Sequence, residues 1–122
     1  MKKVLLDSNA FIYLVKQKID LLGCLEEILQ EPFELTTTES VIEELKRISN
    51  TAKKSSGYAK AALEIISRMN IKVIPSRYMD ADKDIAALAD RDVLVVTNDK
   101  KLKERLRRKV RVLSIGEIKK VR

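Results

Sequence analysis

Short runs of consecutive apolar residues alternate along the chain with segments whose apolar residues recur at helical spacing. The runs at 4–6 and 93–96 are uninterrupted, which predicts strands buried on both faces. Further strands are predicted at 33–38, 71–74 and 110–113. Helices are predicted at 10–15, 20–30, 39–48, 58–69 and 80–90, and from Asn98 or Asp99 to 109. The polar stretch 50–57 is expected to be a loop and 116–122 a short tail.

Strands that alternate with helices predict an α/β fold, with a parallel sheet and helices on both of its faces. The chain has 122 residues and contains no internal repeat or low-complexity segment, so 1–122 is expected to form one domain. The two apolar strands should lie at the centre of the sheet. Asp7 and Asp99 follow these strands, so both carboxylates should lie side by side at the carboxyl edge, where such sheets bind ligands. Ser8 or Asn9 is expected to cap the first helix.

Two helices offer further carboxylates to that edge. On the helix after the second strand, Glu44 borders the buried stripe, whereas Glu43 points to solvent. Asp80 is expected to cap the helix that begins near 80, and on this helix Asp82 and Asp84 flank the apolar stripe on opposite sides. Spacing therefore favours Glu44 on the first helix and leaves both acids open on the second.

Each of these acids has an ordinary explanation when it is taken alone. Asp7 and Asp99 could be helix caps, worth about 1 kcal/mol each. Asp82 could be a first-turn acid favoured by the helix dipole, and Glu44 half of a surface ion pair. Four acids that converge on one edge would, however, repel one another strongly unless cations held them together. Oxygen ligands favour Mg²⁺ or Mn²⁺ over zinc, so the sequence predicts a site for one of these ions.

The composition excludes several other kinds of active site. The chain contains no His, which excludes His-dependent nucleophilic triads, imidazole acid–base pairs and His-ligated zinc sites. Cys24 is the only cysteine, so no disulfide can form within the chain. No apolar run is long enough to cross a membrane. These features lead us to expect a cytoplasmic protein.

The net charge of +7 is concentrated at the carboxyl-terminal end. Eleven Lys and Arg lie in 100–122 against two Glu, a net charge of +9, which leaves −2 for 1–99. A basic end on a nearly neutral body predicts an anionic partner and favours nucleic acid. The alternative explanation is a solvated basic surface, and charge alone does not separate the two.

Four motifs resemble those of the PIN-domain ribonucleases, a family that includes the toxin half of VapBC toxin–antitoxin pairs and archaeal and eukaryotic RNA-processing nucleases. The motifs are LDSN at 6–9, VIEEL at 41–45, DKDIAALA at 82–89 and VVTNDKKL at 95–102. The resemblance covers essentially the whole chain. It implies a single PIN-like domain with a five-stranded parallel sheet in the order 3-2-1-4-5. It also implies a metal-dependent endoribonuclease that needs no His.

The resemblance also implies roles for individual residues. In the third motif it selects Asp82 rather than Asp84. The acids matched to the catalytic, metal-binding set are Asp7, Glu44, Asp82 and Asp99. The matched or neighbouring auxiliary residues are Asn9, Asp84 and Thr97. The implied reaction is hydrolysis of an RNA phosphodiester by a water that Mg²⁺ or Mn²⁺ activates, with Glu44 either a ligand or the holder of a water at the metal.

The basic residues after the fourth motif are expected to hold the RNA backbone through sequence-independent contacts. Those singled out are Lys100, Lys101, Lys103 and Arg105. The resemblance further implies an antitoxin protein or an RNA-processing complex as partner, and a homodimer. No membrane partner is expected, because no apolar run is long enough to cross a membrane. The main rival is a catalytically inactive PIN-fold RNA-binding module, which would have no reason to retain all four acids. A phosphoacceptor receiver domain needs an acidic pair after its first strand, whereas Asp7 stands alone.

Overall fold

A sheet of five parallel strands forms the centre of the computed structural model, which describes residues 1–88 and 92–120. The strands are β1 (Lys2–Leu6), β2 (Phe33–Thr38), β3 (Lys72–Ile74), β4 (Val93–Val96) and β5 (Arg111–Leu113). Their order across the sheet is β3-β2-β1-β4-β5, and all neighbours are parallel. This order confirms the predicted topology, and neither apolar strand lies at an edge.

The two apolar strands are buried on both faces. Consecutive strand residues point to opposite faces of a sheet, yet Val4, Leu5 and Leu6 of β1 and every residue of β4 are buried. Side chains from the helices must therefore cover both faces, as predicted. Full burial of one Val or Leu contributes about 1.5–3 kcal/mol relative to exposure, so these strands are the centre of the hydrophobic core.

Seven helices lie in the described ranges. They are α1 (Ser8–Lys16), α2 (Leu21–Leu29), α3 (Glu39–Ser49), α4 (Ser55–Arg68), α5 (Ala81–Leu88), α6 (Lys100–Leu106) and α7 (Ile115–Lys119). Helix α4 begins three residues before its predicted start and shortens the expected loop, and α6 ends three residues early in a turn at 107–109. The predicted end of the 80–90 helix falls on 89–91, outside the described residues.

Helix α1 is capped by Asp7, and the expectation that Ser8 or Asn9 would cap it is wrong. Asp7 has extended backbone dihedrals, and its Oδ1 accepts a hydrogen bond from the Ala10 N–H at 2.7 Å. The physical reason is that β1 ends at Leu6, so the chain enters the helix after a single connecting residue. That residue must then be the cap, and its side chain is held at the sheet edge.

The expected tail contains a packed helix. Ser114 and Glu117 form a reciprocal capping box at the start of α7, and Ile115 and Ile118 are buried. Helix α7 packs against α1 and α2, which gives these two side chains an apolar surface to cover. The segment is too short to show helical periodicity, but the Ser-x-x-Glu capping signal was present in the sequence.

None of the helices in 1–88 and 92–120 is long and apolar enough to span a bilayer.

If α7 belongs to the core, Ile118→Ala should lower the free energy of unfolding by about 2–5 kcal/mol, because it removes a fully buried side chain and leaves a cavity. Urea denaturation of the purified protein measures this change. Lys120→Ala, at an exposed position two residues further on, is the control and should leave stability nearly unchanged. Equal stability of both variants and the wild type would contradict the packing of α7.

Candidate active site

The carboxyl ends of β1 and β4 meet at one point, because Leu6 is paired with Val96 in the register of the two strands. The strand order reverses here, since the chain runs from β1 to β2 and β3 and then returns to the other side of β1. Open α/β sheets form ligand crevices at such switch points. A cavity of about 320 Å³ opens at this position. Its lining residues are Asp7, Ser8, Asn9, Glu44, Asp80, Ala81, Asp82 and Asp99.

All four acids predicted for the site line this cavity. Asp7 arrives from the end of β1, Glu44 from α3, Asp82 from α5, and Asp99 from the connection between β4 and α6. The predicted auxiliary Asn9 lies at the exposed side of the same wall. No Lys or Arg lines the cavity in the described parts of the chain. The acids therefore face one another without a basic side chain between them.

Asp7 is buried, with 4% of its surface exposed. Its Oδ1 accepts from the Ala10 N–H, and its Oδ2 accepts from the Thr97 hydroxyl. Burial raises the pKa of Asp7 to about 6; the two hydrogen bonds lower the pKa, while the charges of Asp82 and Asp99 raise it. Burial outweighs the hydrogen bonds, so the ionised form of Asp7 is costly in the protein alone.

Thr97 joins the two strand-end acids. It is fully buried, its hydroxyl donates to Asp7, and its Oγ1 accepts from the Asp99 N–H at 3.0 Å. Its own N–H donates to a carbonyl of β5 at 3.0 Å. Asp99 in turn caps α6, where its Oδ1 accepts from the N–H groups of Lys101 and Leu102 at 2.9 and 3.2 Å. A single hydroxyl therefore holds the Asp7 side chain and the Asp99 backbone in a fixed relation.

Asp82 reaches the cavity from the first turn of α5 and is half-buried. Burial raises its pKa, and the charges of Asp99, Asp80 and Glu44 raise it further. The charge of Arg105 lowers the same pKa but does not cancel these effects. Like charges close together destabilise each other's ionised forms, so the cavity has an excess of negative charge that Arg105 only partly offsets.

The structure separates the two acids that follow one another on α3. Glu44 is half-buried and lines the cavity, whereas Glu43 is exposed and pairs with Lys46 at 3.5 Å on its own helix. This placement agrees with the preference that helical periodicity gave to Glu44.

Asp80 also lines the cavity, although the sequence indicated it only as a helix cap. Its Oδ1 accepts from the N–H groups of Asp82 and Lys83 at 2.9 and 3.3 Å, which confirms that it caps α5. Because α5 begins at the cavity, its capping carboxylate lies there too. The position of the cap two residues before Asp82 was the signal that could have found it.

Asp84 lies away from the cavity and is 1% exposed. Its Oδ1 accepts from the Arg77 N–H at 3.0 Å, and its Oδ2 lies 2.8 Å from the Ser40 Oγ. Burial raises the pKa of Asp84, but hydrogen bonds from Ser76, Arg77, Ser40 and Tyr78 outweigh it, and the pKa is lower than usual. Asp84 is therefore an ionised acid that binds the loop before α5, and not a member of the cavity wall.

The basic residues predicted to bind RNA lie on different sides of α6. Lys103 pairs with Glu117 of α7 at 2.8 Å. Arg105 faces α5, where it lines a groove beside the cavity. Lys100 and Lys101 are exposed in the first turn. The helix therefore does not present all four cations to one surface.

The donor atoms of the cavity suit a hard divalent cation, since the acidic side chains offer only carboxylate oxygens. Among the described residues, no three acids are grouped closely enough to hold a metal ion as they stand. Asp7 and Asp99 each use one carboxylate oxygen to cap α1 and α6, and the remaining lone pairs of these carboxylates are available to an ion. Mutual repulsion keeps such side chains apart unless a cation offsets their charge.

A parallel α/β sheet with the strand order β3-β2-β1-β4-β5 is a fold that known proteins share. A family model described as a PIN-like domain matches residues 4–117. Ribonuclease VapC4 of Methanocaldococcus jannaschii is 34% identical over 110 residues, which cover 87% of this chain and 83% of the relative. The chain therefore belongs to the PIN-like domain family.

Solved structures share the fold. The PIN domain endonuclease Utp24 is 27% identical with a TM-score of 0.76, over 92% of this chain and 84% of that chain. A chain in the structure of VapBC-1 from nontypeable Haemophilus influenzae is 13% identical with a TM-score of 0.61, over 93% and 98% of the two chains. At that identity the second likeness concerns the fold alone.

Replacement of Asp7 by Asn should stabilise the protein in EDTA above pH 6. Because the pKa of Asp7 is raised in the folded protein, ionisation of Asp7 lowers the free energy of unfolding. This loss of stability is absent below the ordinary pKa of 3.8, grows between pH 4 and 6, and stays constant above pH 6. A pKa difference of about 2 corresponds to about 3 kcal/mol. Asn keeps the capping bond from the Ala10 N–H through its single oxygen, and its NH2 group can donate to the Thr97 hydroxyl oxygen where Asp7 accepts. Urea denaturation of both proteins at pH 4, 5, 6 and 8 measures the difference.

Glu64→Gln, at an exposed position on α4, serves as the control for a general effect of removing one negative charge. A stability difference between Asp7→Asn and the wild type that stays constant from pH 4 to 8 would show that ionisation of Asp7 carries no cost.

Proposed function

We propose that this chain is a metal-dependent endoribonuclease that hydrolyses RNA phosphodiester bonds at the acidic cavity. The observation that carries the proposal is the meeting of Asp7, Glu44, Asp82 and Asp99 in one cavity, in a chain of the PIN-like domain family. The names of its relatives, a ribonuclease and a PIN domain endonuclease, support the same chemistry. Strongly perturbed carboxyl groups in a cleft are typical of functional sites.

Mg²⁺ or Mn²⁺ is the proposed cofactor. Asp7, Asp82 and Asp99 would hold it through carboxylate oxygens, with Glu44 as a further ligand or as a hydrogen-bond acceptor for a water. When bound, such an ion supplies Lewis-acid chemistry that lowers the pKa of a water and offsets charge on the attacked phosphate and the leaving oxygen. The oxygen-only donor set supports these ions over zinc.

The side chains of the site position the carboxylates and control access of the substrate. The Thr97 hydroxyl and the helix caps keep Asp7 and Asp99 in place without a bound ligand. The excess negative charge of the acids repels the phosphates of RNA while the cavity holds no cation. Productive binding of the scissile phosphate at this cavity should therefore depend on the metal.

Cleavage of a labelled single-stranded RNA should occur with Mn²⁺ or Mg²⁺ and stop in EDTA, because the acids alone offer no counter-charge to the phosphate. Asp7→Asn, Asp82→Asn and Asp99→Asn should reduce the rate to background. Glu44→Gln should lower the rate about 10- to 100-fold, as loss of an ordering group at a metal site typically does. Denaturing gel electrophoresis of time courses measures these rates.

Glu43→Gln is the matched control, because Glu43 precedes Glu44 on α3 but is exposed and lies outside the cavity. It should cleave like the wild type. Cleavage that persists in EDTA would rule out a metal-dependent mechanism. RNA binding without cleavage under either metal would instead favour the alternative, a catalytically inactive PIN-fold RNA-binding module.

The biological setting of this chemistry is either that of a toxin, with an antitoxin partner, or that of an RNA-processing factor. Similarity to a ribonuclease named VapC4 supports the first setting, and the second follows from the resemblance to the RNA-processing nucleases of the family. Induced expression in a bacterial host separates the two settings. Growth arrest by the wild type but not by Asp7→Asn supports a toxin, and normal growth under both supports a processing role. Homodimer formation stays a prediction of the resemblance.

A further inference from the structure

A second depression lies beside the acidic cavity, between α5 and α6, and has the opposite charge. It is a groove of about 380 Å³, in the size range of sites for small ligands. Its lining residues are Tyr78, Lys83, Ala86, Ala87, Arg105 and Lys109, and we call it the basic groove. Three cations and one aromatic ring thus surround two small side chains that leave room between the helices.

The three cations of the basic groove form no ion pair with an acid in the parts of the chain that are described. Their neighbours behave differently, since Lys103 is paired with Glu117 and Arg107 with Glu104. Some cations of α6 and of the turn after it therefore bind their own protein, whereas Arg105 and Lys109 line the groove together with Lys83 of α5. Such a group of cations attracts an anion from outside the chain.

The basic groove adjoins the acidic cavity along α5. Asp82 lines the cavity and the next residue, Lys83, lines the groove. Arg105, on the opposite wall of the groove, is close enough to act electrostatically on Asp82. A bound strand whose scissile phosphate lies at the cavity would therefore pass its neighbouring phosphates along the cations of the groove.

Tyr78 contributes an aromatic ring to the groove; the residue is 48% exposed and lies on a loop that also exposes Met79. The buried carboxylate of Asp84 anchors this loop, because its Oδ1 accepts a hydrogen bond from the Arg77 N–H at 3.0 Å. The Ser40 Oγ lies 2.8 Å from Asp84 Oδ2, 2.6 Å from the Ser76 Oγ and 2.9 Å from the Tyr78 carbonyl oxygen. A buried, fully bonded polar network is a rigid support. It fixes the backbone of Tyr78, while the residue itself stays exposed to solvent.

We propose that the basic groove binds the nucleotides that flank the scissile phosphate of a single-stranded RNA, with one base stacked on Tyr78. This inference rests on the proposed ribonuclease activity and adds the surface that would hold the nucleotides beside the scissile bond. Aromatic rings stack on bases of any sequence, whereas base faces inside an A-form duplex are covered by their neighbours. Lys83, Arg105 and Lys109 would hold the phosphates and offset the repulsion from the cavity.

The test measures binding of a fluorescein-labelled single-stranded RNA and its duplex by anisotropy, in EDTA so that cleavage does not interfere. Tyr78→Ala should weaken binding of the single strand about 5- to 150-fold, the effect of losing one stacked base. Tyr78→Phe should bind within about twofold of the wild type, because stacking needs the ring and not the hydroxyl. The wild type should bind the duplex more weakly than the single strand.

The triple variant Lys83→Ala, Arg105→Ala and Lys109→Ala should reduce the slope of log affinity against log salt by about 2, since each phosphate contact on a single strand contributes about 0.7. The matched control removes three exposed cations elsewhere, with the substitutions Lys53→Ala, Lys60→Ala and Arg68→Ala. Both variants lose the same net charge, so only loss of specific contacts can separate them. Equal slopes for the two triple variants would overturn the proposal.

Asp84 acts here as a positioning residue, and its test is coupling to Tyr78. Asp84→Asn, or the milder Ser76→Ala, should weaken single-strand binding when it is made in the wild type. The same substitution should change binding little when it is added to Tyr78→Ala, because the loop then has no ring to position. Additive effects of the two substitutions would mean that the network supports the fold alone and would overturn this part.

Three further outcomes are decisive. Equal binding of duplex and single strand, with equal losses in the variants, would overturn the single-strand inference. Competition by poly-glutamate at the same concentration of charge would show a site for acidic protein segments instead of RNA. If the wild type cleaves no RNA but the groove variants weaken RNA binding, the proposed nuclease activity is wrong and the proposed role of the basic groove is supported. If no groove variant changes cleavage or binding, only the proposed role of the basic groove is wrong.

Discussion

Burial of one carboxylate at the end of β1 is the constraint on which the site depends. The sheet register places Asp7 beside Thr97, and the short connection into α1 makes Asp7 a helix cap. Both oxygens then accept hydrogen bonds from groups that cannot move without disturbing β4 or α1. These bonds do not compensate for burial, so the charge on Asp7 remains costly. The fold supplies that energy through the apolar packing of its two central strands.

The electrostatics of the molecule are organised along α5. The first turn of this helix places Asp82 in an acidic cavity and Lys83 in a basic groove, so that the sign of the charge changes between adjacent residues. A polyanion cannot approach uncompensated acids, but it can approach them along a cationic path. In the proposed enzyme the same strand would meet a cation at the cavity and lysine and arginine beside it.

Two aspartates of α5, which lie two positions apart, differ in their environment and in their role. Asp82 is half-buried among like charges, which raise its pKa, whereas Asp84 is buried among hydrogen-bond donors, which lower its pKa. The first arrangement stores unfavourable energy that a ligand can relieve. The second is fully satisfied and stabilises the loop before α5. Local chemistry around each carboxylate, and not its residue type, therefore separates a candidate ligand from a structural acid.

The sequence by itself determined the strands, their parallel arrangement and the acids that follow the two apolar strands, because uninterrupted apolar runs and strand-end positions are local properties. Periodicity on α3 also separated Glu44 from Glu43, since it reports which side of a helix faces the core. It could not separate Asp82 from Asp84, because both border the core and only their partners differ. Those partners, such as Ser40 and the 76–78 loop, are distant in sequence and meet α5 only in the folded chain. The packing of α7, the presence of Asp80 in the cavity and the division of the α6 cations between Glu117 and the basic groove were likewise decided by tertiary contacts.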